Sequence, residues 1–257
     1  MTGGPLDPLL SLALAGAAAF VAGALNAVAG GGSLLTFPTL TALGLPPVVA
    51  NLTNTVALCP GYLGATHSQR RDLAGQGRRI AYVLPVSALG GVAGALLLLN
   101  TAEGVFDVAV PFLLLIAALL VGAQDPLRRW LFGREREARS DAWAIAPVAL
   151  ASIYGGYFGA GMGVMILAAL GIVLSESLVR LNALKQLVAL VTNVTAAAVF
   201  LGSGRVEWPY VAVMSLAALA GGAAGGRLAT RVPAPLLRRL IVGLGLALSA
   251  VYFAKLL

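Results

Sequence analysis

Charged side chains are scarce. Asp, Glu, Lys and Arg make up 11% of the 257 residues, against about a quarter in an ordinary soluble domain. There is one cysteine, Cys59, set in an apolar run, so no disulfide or cysteine-built metal site can form within the chain. His67 is the sole histidine. With no His-Glu-x-x-His run and no cluster of Cys and His, no zinc site is expected. A phosphate-cradling Gly-x-x-x-x-Gly-Lys-Ser/Thr loop is also missing, which excludes an intrinsic P-loop ATPase. Ser33 after Gly32, with His67 far along the chain, meets the needs of an intramembrane serine protease only loosely. No enzymatic activity, cofactor or bound metal is expected.

What the chain has instead is apolar length. The hydrophobic fraction is 59% and the mean hydropathy is +0.92, spread over the whole sequence. A helix needs about 20 apolar residues to cross a bilayer. Ten apolar segments can be drawn: Leu9–Val28, Ser33–Leu43, Val48–Ala65, Ile80–Leu99 and Val105–Val121, then Ala142–Phe158, Met162–Leu174, Leu181–Leu201, Trp208–Leu228 and Leu236–Leu256. The second and seventh are too short to span at about 1.5 Å per residue, so they read as half-helices. The expected fold class is all-α, a polytopic transmembrane bundle of two repeats with short broken helices at glycine-rich stretches. Residues 1–123 form the first repeat, 124–141 a basic cytoplasmic linker, and 142–257 the second. The first apolar run lacks a basic region before it, so it reads as retained and not as a cleaved signal.

The net charge of +7 does not point to nucleic acid, because the arginines lie in short loops. Arg70, Arg71, Arg78 and Arg79 sit between segments three and four. Arg128, Arg129, Arg134, Arg136 and Arg139 sit between five and six, and Arg227, Arg231, Arg238 and Arg239 around the last connection. Alternate connections are nearly bare, with Arg205 alone between eight and nine. Placing the basic loops in the cytoplasm satisfies all three together and puts both termini outside. The partners expected are a lipid bilayer and a small anion, with homodimer formation left open.

A shift of 131 positions superposes the halves. Gly30 and Gly32 fall on Gly161 and Gly163, Asn51 on Asn182, and Gly90, Gly91 and Gly94 on Gly221, Gly222 and Gly225. Five segments per repeat would give the halves opposite orientation, a frequent transporter architecture. If the short segments only dip and return, four spans per half would make the repeats parallel. The alternating basic loops favour the inverted arrangement.

The candidate site follows from two features. Asn26 opens a stretch ending in Gly30, Gly31, Gly32 and Ser33, with Pro38 beyond. Three consecutive glycines break a helix, and broken backbone at membrane depth survives only inside protein or against a wet cavity. The half-helix that follows would turn its N–H groups and positive dipole end to that cavity, which suits an anion. Gly159, Gly161 and Gly163 would supply the second such end. The competing reading is that these glycines only let helices approach closely, which is the preferred reading for Gly90, Gly91, Gly94 and their repeat partners.

The second feature is Asn51-Leu-Thr53-Asn54, matched by Asn182-Ala-Leu-Lys185, with Gln186 adding a further polar group to the same segment. Amides and an ammonium in apolar helices are costly unless they face an interior. Lys185 is one of two lysines, with Lys255. It either neutralises an anion or snorkels to the surface beside Arg180. Thr192 and Asn193 add polar groups to the same segment, and Glu176 and His67 are candidates for gating or proton coupling.

The run Gly30-Gly-Gly-Ser-Leu-Leu-Thr-Phe-Pro38, with Ala50-Asn51 following, resembles the first signature of the TauE/SafE family. Gly155-Gly-Tyr-Phe-Gly-Ala-Gly-Met-Gly163 is similar to its second. The tail also looks like that family, with Gly204-Arg-Val-Glu-Trp208, then Gly221, Gly222 and Gly225, then the Arg227–Arg239 loop. One departure is Ala169, which stands where the second signature usually has a proline. The resemblance implies a permease or exporter of sulfite, sulfonates and related organic anions in the cytoplasmic membrane of a prokaryote. It places Gly30, Gly31, Gly32 and Pro38 in the first signature and Gly159, Gly161 and Gly163 in the second. Transport would then proceed by rocking one half against the other about a midplane site. A passive anion channel and a non-transporting scaffold subunit are the alternatives.

Overall fold

The computed structural model describes residues 7–28, 31–132, 140–228 and 234–256. Gly30 and the loop arginines Arg134, Arg136, Arg139 and Arg231 lie outside the described residues. Those described are almost entirely helical: α1 Pro8–Val28, α2 Ser33–Ala42, α3 Pro47–Ser68, α4 Gly77–Leu99, α5 Glu103–Gly122, α6 Gln124–Phe132, α7 Ile145–Tyr157, α8 Met162–Val173, α9 Leu178–Leu201, α10 Trp208–Leu228 and α11 Ala234–Leu256. Short 3-10 turns at Arg70–Leu73 and Asp141–Ala144 precede α4 and α7. The stretches Pro8–Asn26, Gly77–Leu99, Glu103–Gly122 and Leu178–Leu201 are each long and apolar enough to cross a bilayer.

The half-helices stand where the sequence reading puts them. α2 has 10 residues and α8 has 12, about 15 and 18 Å at the helical rise. α6 is a helix that the sequence reading merges into the linker. Pro47 and Leu178, Gly77 and Trp208, and Glu103 and Ala234 open helices 131 residues apart, the same interval as the sequence shift. α3 starts on a proline, whose missing N–H costs nothing at a first turn. α9 is capped by Ser177, whose hydroxyl accepts from the Arg180 N–H.

The packing interleaves the two halves. α1 lies along α10, and α4 lies along α7 and α9. α3 packs on α10 and α9, and α5 on α11. The closest approaches run through glycine, as the sequence reading expects for this set: a side chain on Gly221 would strike the Phe20 carbonyl, and one on Gly94 the Ile153 carbonyl. Helix association in lipid relies on such contact because no hydrophobic drive separates helix from tail. α3 and α9 are antiparallel. Gln69 after α3 accepts a hydrogen bond from Asn182 in the first turns of α9, while Thr53 near the start of α3 accepts from Glu207 N–H, beyond the end of α9.

The outer surface is apolar, as on α5, where Phe112, Ile116 and Leu119 are exposed at helical spacing. Exposed Trp130, Trp143 and Trp208 stand at helix ends, where indoles settle at bilayer interfaces. Ion pairs stand at both ends of the bundle. At one, Arg79 donates to Asp141 at 3.1 Å and to Glu176 at 2.8 Å, joining two basic connections. At the other, Arg205 pairs with Glu103.

Candidate functional site

Each half-helix begins at a glycine turn with a specific cause. Gly161, which precedes α8, has φ +74°, a left-handed conformation open to glycine at no steric cost. A Cβ there would also press to 3.2 Å from the Ala117 backbone of α5. Gly32, before α2, sits so close to α1 that a Cβ would stand 2.6 Å from the Ala22 carbonyl. Its N–H is held by Asn26 Oδ1 at 2.8 Å, so one donor of the first half-helix is already satisfied. The second break is stapled by the Tyr154 hydroxyl, which donates to the Ala160 carbonyl at 2.7 Å. Phe37 of α2 meets Phe158 edge-on at 5.1 Å between centroids, tying one half-helix to the other's turn.

The two breaks converge on one partly open cavity. Asn26, Gly31 and Ser33 line it from the first, and Gly159, Gly161, Met162 and Gly163 from the second. Lys185, Gln186 and Ala189 close it from α9, and Tyr62 from α3. Lys185 is only 5% exposed, and its Cδ passes 3.8 Å from where a Gly163 Cβ would stand. It therefore lies against the start of α8 and does not snorkel outward. Arg180 forms a separate pair with Glu176 at 3.0 Å. Gln186 Nε2 donates to the Asn26 carbonyl at 3.4 Å, which links α9 to the first break.

Positive dipole ends, a buried ammonium, amides and a hydroxyl form a donor-rich concavity in an apolar surround. Donors of this kind are strong when ionised or set in low dielectric. The arrangement offers hydrogen-bond donors and positive charge of the kind an anion accepts from.

Gly32 flanks the cavity without lining it, and four further sequence candidates stand away from it. Asn51 Nδ2 donates to the Tyr157 carbonyl at 2.8 Å, bracing the end of α7. Thr53 and Asn182 make the interhelical bonds given above, and Asn54 is buried on α3 with its Oδ1 unpartnered. Sequence reasoning missed Tyr62, Met162 and Ala189. Tyr62 carries a signal in hindsight, because its repeat mate 131 residues on is Asn193, a polar side chain at the equivalent turn. Glu176 is engaged with Arg79 and Arg180, and His67 Nε2 lies 3.0 Å from Arg70 Nη1 at an exposed helix end.

A helical membrane bundle with glycine-broken half-helices around a buried cation is the kind of architecture that membrane transport proteins use. The family model "Sulfite exporter TauE/SafE" matches residues 15–252, and the chain belongs to that family. A "Probable membrane transporter protein" of Haemophilus influenzae is 28% identical over 240 residues, covering 90% of each chain. The "Probable membrane transporter protein ORF9" of Sinorhizobium sp is 29% identical over 233 residues, covering 90% of this chain and 88% of the relative. The "Probable membrane transporter protein YfcA" of Escherichia coli K12 is 29% identical over 249 residues, 93% of this chain and 87% of the relative. No solved structure matches the chain. The protein is thus a multi-pass membrane transporter of the TauE/SafE type.

Proposed function

We propose that the protein carries small sulfur oxyanions, sulfite or organosulfonates, across the cytoplasmic membrane of a prokaryote by alternating access. The observation that carries this reading is the meeting of both glycine breaks and Lys185 at one cavity. The charged oxygens of a sulfite or sulfonate group suit the chemistry of one ammonium, two dipole ends and a few neutral donors. The basic end of the bundle, at Arg79, faces the cytoplasm under the positive-inside rule.

The halves run in opposite orientation in this reading. Support comes from antiparallel α3 and α9 and from the 131-residue register of the helix starts. Because α1 packs on α10 and α7 on α4, the moving bodies are mixed pairs and not the contiguous sequence halves.

The test is flux into proteoliposomes of sulfite, sulfoacetate, taurine, sulfate and acetate, with the wild type and Lys185→Ala. Saturable flux of a sulfur oxyanion that accelerates with the same anion trapped inside, and that falls at least tenfold in the folded variant, is expected. Flux without such trans-stimulation assigns the scaffold to a channel instead. No flux of any of these anions from folded wild type removes the substrate assignment.

A further inference from the structure

We infer that Asn51 and Asn54 on α3 provide buried oxygens of a binding site for a monovalent cation of the sodium class, beside the C-terminal end of α7. Both side chains are within 2% of complete burial, and neither Oδ1 has a hydrogen-bond partner. The orientation of the Asn51 amide is fixed, since its Nδ2 is committed to the Tyr157 carbonyl at 2.8 Å. Its Oδ1 is thereby left as an acceptor with nothing donating to it. Three residues on, Asn54 lies one turn further along the same face of α3. A single buried acceptor without a partner needs an explanation in a native structure, and here there are two in adjacent turns.

The surroundings favour a cation over a donor from protein. Tyr157 is the last residue of α7, so Asn51 reaches a helix C-terminus, the negative end of that helix's dipole. Broken helices in transporters present such ends to sodium ions while their N-terminal ends meet the anion. The oxygens are neutral amide and carbonyl groups, with no carboxylate on that face of α3. Neutral oxygens suit a singly charged hard ion, whereas calcium and magnesium draw on carboxylates.

The repeat supplies an independent argument. The 131-residue register that aligns α3 with α9 places Asn54 on Lys185. At the Lys185 position the protein contributes its own positive charge to a glycine break. At the Asn54 position it contributes an unpartnered oxygen, and a bound cation there restores the charge that the repeat otherwise lacks. Cation and anion sites would then lie at equivalent turns of crossing helices. The binding step itself does not depend on which anion is carried.

The test uses the full chain in lipid nanodiscs. Its melting temperature is followed in sodium, potassium or choline chloride at one ionic strength. Wild type is expected to show a saturable sodium-specific rise, the mark of a ligand bound by the folded state. Asn54→Ala is expected to weaken apparent sodium affinity by about tenfold or more, which is roughly 1.4 kcal/mol. Asn54→Asp is expected to strengthen it, and Gly104→Ala, at an open position, to leave it in place. Equal melting in all three salts would overturn the proposal and leave water on the two oxygens. So would a sodium effect unchanged in Asn54→Ala, or, if that variant does not fold, one unchanged in Asn54→Asp.

Discussion

Asn26 holds both sides of the first helix break. Its side-chain oxygen accepts from Gly32 N–H at 2.8 Å, and its own carbonyl accepts from Gln186 of α9. The residue therefore fixes the direction of α2 and its distance from Lys185's helix at once. Asn26→Ala leaves the Gly32 N–H without its partner, at a cost of about 1–3 kcal/mol, and a lower melting temperature is expected. Asn26→Asp keeps the acceptor and should melt near wild type, yet its charge should weaken anion-dependent stabilisation. An Asp variant with unchanged anion response would separate Asn26 from the site.

Lys185 contributes charge and also length. Lys185→Met preserves most of the stem that packs against Gly163, so folding should persist while the anion-induced melting shift disappears. Lys185→Arg keeps the charge in a wider planar head and should retain part of the shift. If the Met variant keeps the full shift, the helix ends alone bind the anion.

Gly221 and Gly94 test the packing of the mixed pairs. Gly221→Val places two methyl groups where the Phe20 backbone already stands. Overpacking of that kind costs about 1–3 kcal/mol or more, with backbone forced apart. A large loss of monodisperse protein on size-exclusion chromatography is expected, and the same for Gly94→Val. Gly104→Ala, at an open position, is the matched control and should behave as wild type.

Glu176 links the charged end of the bundle to acid stability. Burial opposes its ionisation, but the hydrogen bonds from Arg79 and Ser177 N–H and the charges of Arg180 and Arg79 hold it below the ordinary 4.5. A group lowered on folding stabilises fully above its unfolded value and loses that contribution as pH falls through the folded one. Wild type should thus lose melting temperature below about pH 4.5 more steeply than Glu176→Gln, which starts lower at neutral pH. Parallel curves for the two would mean that the Arg79 pair adds nothing.

The breaks were legible in the sequence because lipid is intolerant of loose backbone. Gly31, Gly32, Gly159 and Gly161 at membrane depth leave few options. Lys185 was legible for the same reason, although its choice between cavity and surface depended on which way α9 faces α8. Tyr62 was not, because one tyrosine in an apolar run looks like packing until α9 is set opposite it. Asn51 and Asn54 were recognised as costly polar groups, but periodicity says nothing about the α7 terminus that Asn51 meets. The pairing of α1 with α10 was hidden too. Glycine marks a surface for close approach without naming the helix that approaches.

That pairing sets a clock on biogenesis. Gly23 of α1 meets Ala218 of α10, so the first helix enters the bilayer about 195 residues ahead of its partner. At roughly 5–20 residues per second of synthesis, it waits on the order of 10–40 s with its small-residue face against lipid or the insertion machinery. A ribosome that stalls before α10 leaves an orphan strip ready to accept any other smooth helix nearby.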